Sequence, residues 1–338
     1  MNLTAFLASA VLAVSPNFPA LPLQQIVDSG GASTAVLRVD AESGAAGPVT
    51  PNAYFRIGSV TKTFVATVIL QLVDEQRVRL DDPIARYLPG VVPDGERITV
   101  RQVLDHTSGI YDYAHDPGWS TNRWRGAERF RHYEPSQLLE VAFSHPPYFP
   151  PGTGWHYSNT NYIVAGLLIE RVTGRSYGAE ISRRILRPLR LTQTSLPGDR
   201  PGLPSPHAPG YTSVDGELVD ATLMNPSLDW AAGEMISTTA DVNRFFEALF
   251  AARLTSKAAL AEMRRYVPAT ELFEYGLGLQ RFRLPCGTTV EGHSGQILGY
   301  TTYSTHSGST HATLSYNPLP GGDASSAVLG VFTAIYCD

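Results

Sequence analysis

Residues 64–73 form an apolar run with too few polar positions for a surface helix, and predict a buried one. Stretches punctuated by proline and glycine predict further helices at 24–29, 100–104, 135–143, 162–172 ending at Gly174, and 177–186 before Pro188. Residues 241–249 are amphipathic, with Thr238 and Thr239 as caps and Asp241 in the first turn. Beyond Tyr275 the pattern changes. Residues 276–284, 288–291, 300–305 and 312–316 read as strands between turn residues, and 324–336 as a closing helix. An early strand at 35–39 lies between breaks at Gly30-Gly31 and 44–51.

Early and late strands around a helical insert predict an α+β fold: one antiparallel sheet built from both chain ends, flanking helices, and a mostly helical lobe over about 75–230. With 338 residues, 43% of them hydrophobic, the chain can bury a large core in one domain or two intimate lobes. A net charge of −5 and the absence of any basic run exclude a nucleic-acid surface and point to a small molecule or peptide.

Residues 3–15 are apolar, too short to span a membrane and without a basic start. They predict a leader over residues 1–20 ahead of a catalytic domain at 21–338; a docking segment or a misplaced start codon are the other readings. The two cysteines, Cys286 and Cys337, fit an exported protein if paired, and two buried free thiols remain open. The nine histidines show no metal-ligand spacing, and no cofactor is expected.

Of 26 basic residues only two are lysines, and one is Lys62, three residues after Ser59. Arginine stays protonated in proteins, whereas a desolvated ammonium can release its proton and act as a base. Positions i and i+3 share a helix face, so Ser59 and Lys62 would present hydroxyl and amine together at the first turn. The helix N-terminus would aim free N–H groups at an oxyanion forming on Ser59. Chance, with Lys62 only a capping charge, is the alternative.

Tyr157-Ser158-Asn159 lies in a polar loop before an apolar helix. Beside Ser59 and Lys62, Tyr157 could shuttle a proton once the ammonium lowers its pKa, and Asn159 could hold a substrate amide. His293-Ser294-Gly295 falls between two predicted strands, where Gly295 would let a substrate backbone lie against a strand edge. In order, Ser-x-x-Lys, Tyr-x-Asn and His-x-Gly resemble the three-motif site of penicillin-recognising serine enzymes. The resemblance runs from about Leu21 to Asp338. FRIGSVTKTF, ITVRQVLDHTSGIYDY, YSNTNYIVAGLLIERVTG, YGLGL, CGTTVEGHSG and a terminal cysteine look most like the soluble, secreted D-alanyl-D-alanine carboxypeptidases/transpeptidases of actinomycetes. Class C β-lactamases and serine esterases are more distant relatives, and His293 in place of the usual lysine favours the peptidase or esterase branch.

The resemblance implies Ser59 as nucleophile, Lys62 as its base, Tyr157 as proton shuttle, Asn159 as amide ligand, and His293 completing the hydrogen-bond network. It implies an oxyanion hole from the N–H groups of Ser59 and Gln296, and a Cys286–Cys337 disulfide. Trp230 matches an aromatic wall, core packing being its other reading. Three departures stand out. Gln280 occupies the place of an arginine that helps bind the substrate carboxylate, while strand alternation points Arg281 to the opposite face. Ser294 and Gln296 replace pocket-lining threonines. The 40–54 connection is short where relatives have an extra strand and turn, so a thinner sheet edge is expected.

The expected function is a serine acyl-enzyme hydrolase or transferase, first a D-alanyl-D-alanine carboxypeptidase acylated by β-lactams. An esterase or biosynthetic peptide acyltransferase, and a penicillin-binding protein without turnover, are the alternatives. The expected partners are small peptide, ester or β-lactam substrates. A secreted monomer without membrane insertion is expected.

Overall fold

The computed structural model describes residues 18–337; the expected leader lies almost wholly outside them. In chain order the elements are α1 (Ala20–Asp28), β1 (Ala32–Val39), β2 (Glu42–Ala46), β3 (Phe55–Arg56), α2 (Thr61–Asp74), α3 (Val100–Leu104), α4 (Pro135–Phe143), α5 (Asn159–Thr173) and α6 (Tyr177–Ile181). There follow β4 (Tyr211–Val214), β5 (Glu217–Asp220), β6 (Ile236–Ser237), α7 (Thr239–Phe250), α8 (Lys257–Met263), β7 (Val267–Pro268), β8 (Phe273–Tyr275), β9 (Gln280–Arg283), β10 (Thr289–Ile297), β11 (Tyr300–Ser307), β12 (Thr310–Pro318) and α9 (Ser325–Tyr336).

Eight strands make one antiparallel sheet in the order β2-β1-β12-β11-β10-β9-β8-β7, so the N-terminal pair closes onto the last strand, as expected of an α+β fold. One face packs on α1 and α9 through Leu23, Ile26, Leu37, Leu314, Val331 and Phe332. The larger core gathers α2, α5 and α7 around Phe64, Ile69, Tyr162, Ile169 and Phe245. Local chemistry sets the ends of these helices. Thr99 and Gln102 form a capping box at α3, Thr238 caps α7 by accepting the Asp241 N–H, and Gly174 ends α5 in the left-handed conformation at φ 72°.

Three expectations change. The short 40–54 connection holds β2, which pairs with β1 from Ala35↔Ala46 to Val39↔Glu42, so the sheet edge carries a strand. Asp40 at φ 49° turns that hairpin. The run expected as one strand at 276–284 is broken: β8 ends at Tyr275, a turn with Gly278 at φ 70° follows, and β9 begins at Gln280. His293-Ser294-Gly295 lies inside β10, where Gly292 interrupts the alternation without ending the strand.

Cys286 and Cys337 form a disulfide with Cα atoms 5.9 Å apart, tying the β9–β10 turn to the end of α9. Among the described residues no helix is long and apolar enough to cross a membrane.

Candidate active site

The Ser59 turn is wedged against β10. β3 pairs with β6, and a single 3-10 turn at Gly58–Val60 leads into α2. Gly58 sits at φ 51°, and a Cβ there would lie 2.8 Å from Gln296 N. A Cβ on Gly295 would lie 1.9 Å from Ile57 O and 3.0 Å from Ser59 N. Only glycines permit this approach, and it brings the amides of Ser59 and Gln296 to the same gap.

From Thr61 to Leu70 every residue of α2 is buried, Lys62 included. Lys62 Nζ donates to Ala232 O at 2.7 Å, to Asn159 Oδ1 at 2.8 Å and to Ser59 Oγ at 3.0 Å. Burial lowers its pKa to about 7, against the opposing pull of Asp112 and Asp229. Near neutral pH a large share of Lys62 is therefore free amine, within reach of the Ser59 proton.

Tyr157 lines the same cavity as Ser59, and its ring centroid lies 4.9 Å from Lys62 Nζ. Loss of solvent around the phenol raises its pKa well above the ordinary value. This reverses the expectation of a lowered pKa: burial outweighs the neighbouring amine, which is itself easily deprotonated. Tyr157 rests as a neutral phenol, able to donate one proton while accepting another.

His293 departs from its expected place. Its Nδ1 donates to Ser294 O at 2.5 Å, which leaves Nε2 to accept from Tyr275 Oη at 2.8 Å. Burial pushes its pKa down to about 3, so it is neutral. Both ring nitrogens are occupied behind β10, and the ring lines no part of the cavity. His106 is a second buried neutral histidine, its Nδ1 accepting from the Ser158 N–H and Asn161 Nδ2 while its ring packs 4.3 Å from that of Tyr157.

A cavity of about 420 Å³ opens over Ser59 and is lined by Tyr157, Asn159, Gln280, Ser294, Gly295 and Gln296 from the expected set. Trp230 is not among its walls. The indole instead packs edge-on to Tyr177 at 4.6 Å, in the space a side chain at Gly166 would need. Arg281, as expected, faces away, donating to Glu274 and lying 4.3 Å over the Tyr266 ring.

Asp112, Asp229 and His115 also line the cavity, and pattern reading missed all three. Burial raises the pKa of Asp229 to about 6, and that of Asp112 above its ordinary value. Asp112 falls within the HTSGIYDY stretch and Asp229 directly precedes Trp230. Position beside a matched motif was the available signal. Among the described residues no cluster of three or more metal-ligating side chains forms.

The Beta-lactamase family pattern matches residues 23–318. The chain belongs to that family. As a beta-lactamase family member it is a serine acyl-hydrolase, and several relatives are close over most of its length. A D-stereospecific amidohydrolase from Streptomyces sp. is 40% identical, with 93% of this chain and 98% of that one covered at a TM-score of 0.87. The D-amino acid amidase of Ochrobactrum anthropi SV3, in complex with L-phenylalanine amide, is 28% identical over 94% of this chain and 98% of its own, at a TM-score of 0.80. Penicillin-binding protein 4* of Bacillus subtilis (strain 168) is 30% identical over 75% of this chain and 58% of its own length. The chain thus spans little more than half of that relative and nearly all of the amidohydrolase.

Proposed function

We propose that this protein is a serine amidohydrolase that acts through an acyl-enzyme on aminoacyl amides and esters, of D configuration, with a free amino group. Ser59 attacks the carbonyl as Lys62 takes its proton. The amides of Ser59 and Gln296 hold the oxyanion. The leaving amine receives a proton through Tyr157, and water or a second amine resolves the ester.

The charge of the cavity lining carries this reading. Asp112 and Asp229 lie on the wall, no arginine or lysine does, and Gln280, whose carbonyl accepts from Ser294, offers an amide N–H but no charge. Apart from the Lys62 amine beside Ser59, a free substrate carboxylate would meet like charge and no cation on the cavity wall, whereas an ammonium would be attracted. The D-alanyl-D-alanine carboxypeptidase expected from sequence needs the opposite polarity on its leaving side. Configuration and amide preference draw support from the Streptomyces relative's description as a D-stereospecific amidohydrolase.

The test compares kcat/KM for D-phenylalanine amide, its L enantiomer, its N-acetyl derivative and an acyl-D-Ala-D-Ala peptide. The D amide should lead, and N-acetylation should cost about tenfold or more, the worth of a charge-assisted contact. A preference for the free-acid peptide would restore the carboxypeptidase reading.

A further inference from the structure

Asn159 is held from two sides. Its Oδ1 accepts from Lys62 Nζ at 2.8 Å, while its Nδ2 donates to Asp112 Oδ2 at 3.1 Å. The backbone N–H groups of Asn159 and Ala114 both donate to the other oxygen, Asp112 Oδ1, at 3.1 Å each. Asp112 is only 2% exposed. A side-chain amide can turn over with little change of shape, so the end it shows to Lys62 depends on what meets its far end. A carboxylate can only accept there, and leaves the oxygen for Lys62.

We propose that Asp112 is a positioning residue for the base, gripping both N–H groups of Asn159 so that the amide oxygen holds Lys62 Nζ against Ser59. The inference rests on the acyl-enzyme reading above and not on the identity of the substrate. A plain cap for the turn at Tyr113–His115 and for the start of α5 would need only Oδ1. The contact from Oδ2 to the Asn159 side chain is surplus to capping and is what orients the amide.

The charge of Asp112 also acts on Lys62. The groups around that amine are Asp112 and Asp229, the buried neutral rings of His106 and His293, and the phenols of Tyr157 and Tyr162. The two carboxylates favour the ammonium, Asp112 more strongly. Neutralising Asp112 therefore lowers the Lys62 midpoint below about 7, toward more acid pH.

The chain's only lysines are Lys62 and Lys257, and Lys257 is exposed, so ¹³C-lysine NMR reads Lys62 with Lys257 as internal reference. The comparison is wild type against Asp112→Asn, with a melting curve on each and with kcat and KM for an N-acetylated amino acid ester, which has no ammonium for Asp112 to attract. In Asp112→Asn two amide NH₂ groups face one another, and Asn159 turns its own toward Lys62. The expected result is a folded protein whose kcat falls about tenfold or more while KM stays within about threefold. The Lys62 midpoint, and the acid limb of kcat with it, should move to lower pH.

A wild-type kcat, or a loss of kcat without movement of the Lys62 midpoint, overturns the inference. If Asp112→Asn does not fold, Asn159→Ala carries the test, because it spares the capping contacts to Asp112 Oδ1. Lost kcat with KM retained then supports the relay. A raised KM with kcat intact overturns it, as does a wild-type response in both. The NMR midpoint needs no substrate, so failure of the amidase assignment and failure of the relay are separable.

Discussion

Gln280 and Ser294 are locked together: the Gln280 side-chain carbonyl accepts the Ser294 N–H at 2.7 Å and its hydroxyl at 2.9 Å. The bond spans β9 and β10, whose register sets Gln280 opposite Gly292. It fills the place where a carboxylate-binding arginine was sought in the sequence. Gln280→Arg should therefore gain about tenfold or more in kcat/KM for an acyl-D-Ala-D-Ala acid relative to its methyl ester. If wild type already prefers the acid strongly, another group binds the carboxylate.

Lys62 should set the acid limb of the pH profile. Its lowered pKa means the free amine predominates above about pH 7, so kcat/KM should rise as pH passes through that value. Lys62→Arg keeps a charge near Ser59 but cannot give up its proton, and acylation should fall by about 10²–10⁴. Near-normal acylation in that variant would remove Lys62 from the base role.

Glu234 ties stability to pH. It is 3% exposed, accepts from the Tyr177 hydroxyl and from the Gly198 N–H, and burial raises its pKa to about 7. A carboxyl raised in the folded state favours folding while protonated, and the folded state loses that advantage as pH climbs from the unfolded value through about 7. Glu234→Gln should thus gain stability at pH 8 relative to wild type and little at pH 4. Equal melting shifts at both pH values would count against a buried charge at this position.

The Cys286–Cys337 disulfide closes a loop with a sequence separation of 51. Chain entropy assigns such a closure about 4 kcal/mol. Replacing both cysteines by serine should lower the denaturation midpoint accordingly and spare acylation by the residual folded protein. An unchanged midpoint would show that the disulfide contributes nothing.

Sequence made the frame legible because it is written in local signals. Lysine scarcity, the apolar run after Ser59, and helix boundaries at Val100, Gly174 and Thr238 each act within one element, and the structure places them as read. The errors concern groups whose role depends on distant partners. His293 carries a motif position but turns both nitrogens to Tyr275 and Ser294. Trp230 abuts Asp229, which lines the cavity, yet its own ring packs on Tyr177. Asp112 gains its place from an amide 47 residues away. β2 was passed over because glycine and alanine supply little strand signal, while pairing to β1 supplies the rest.

The most direct test traps the covalent intermediate. The protein is mixed with D-phenylalanine methyl ester, quenched in acid at intervals, and weighed intact, with the modified peptide then mapped. The account predicts a mass gain equal to one phenylalanyl group on Ser59, absent in Ser59→Ala and strongly reduced in Lys62→Arg. Continued turnover with no adduct, or an adduct on any other residue, would contradict it.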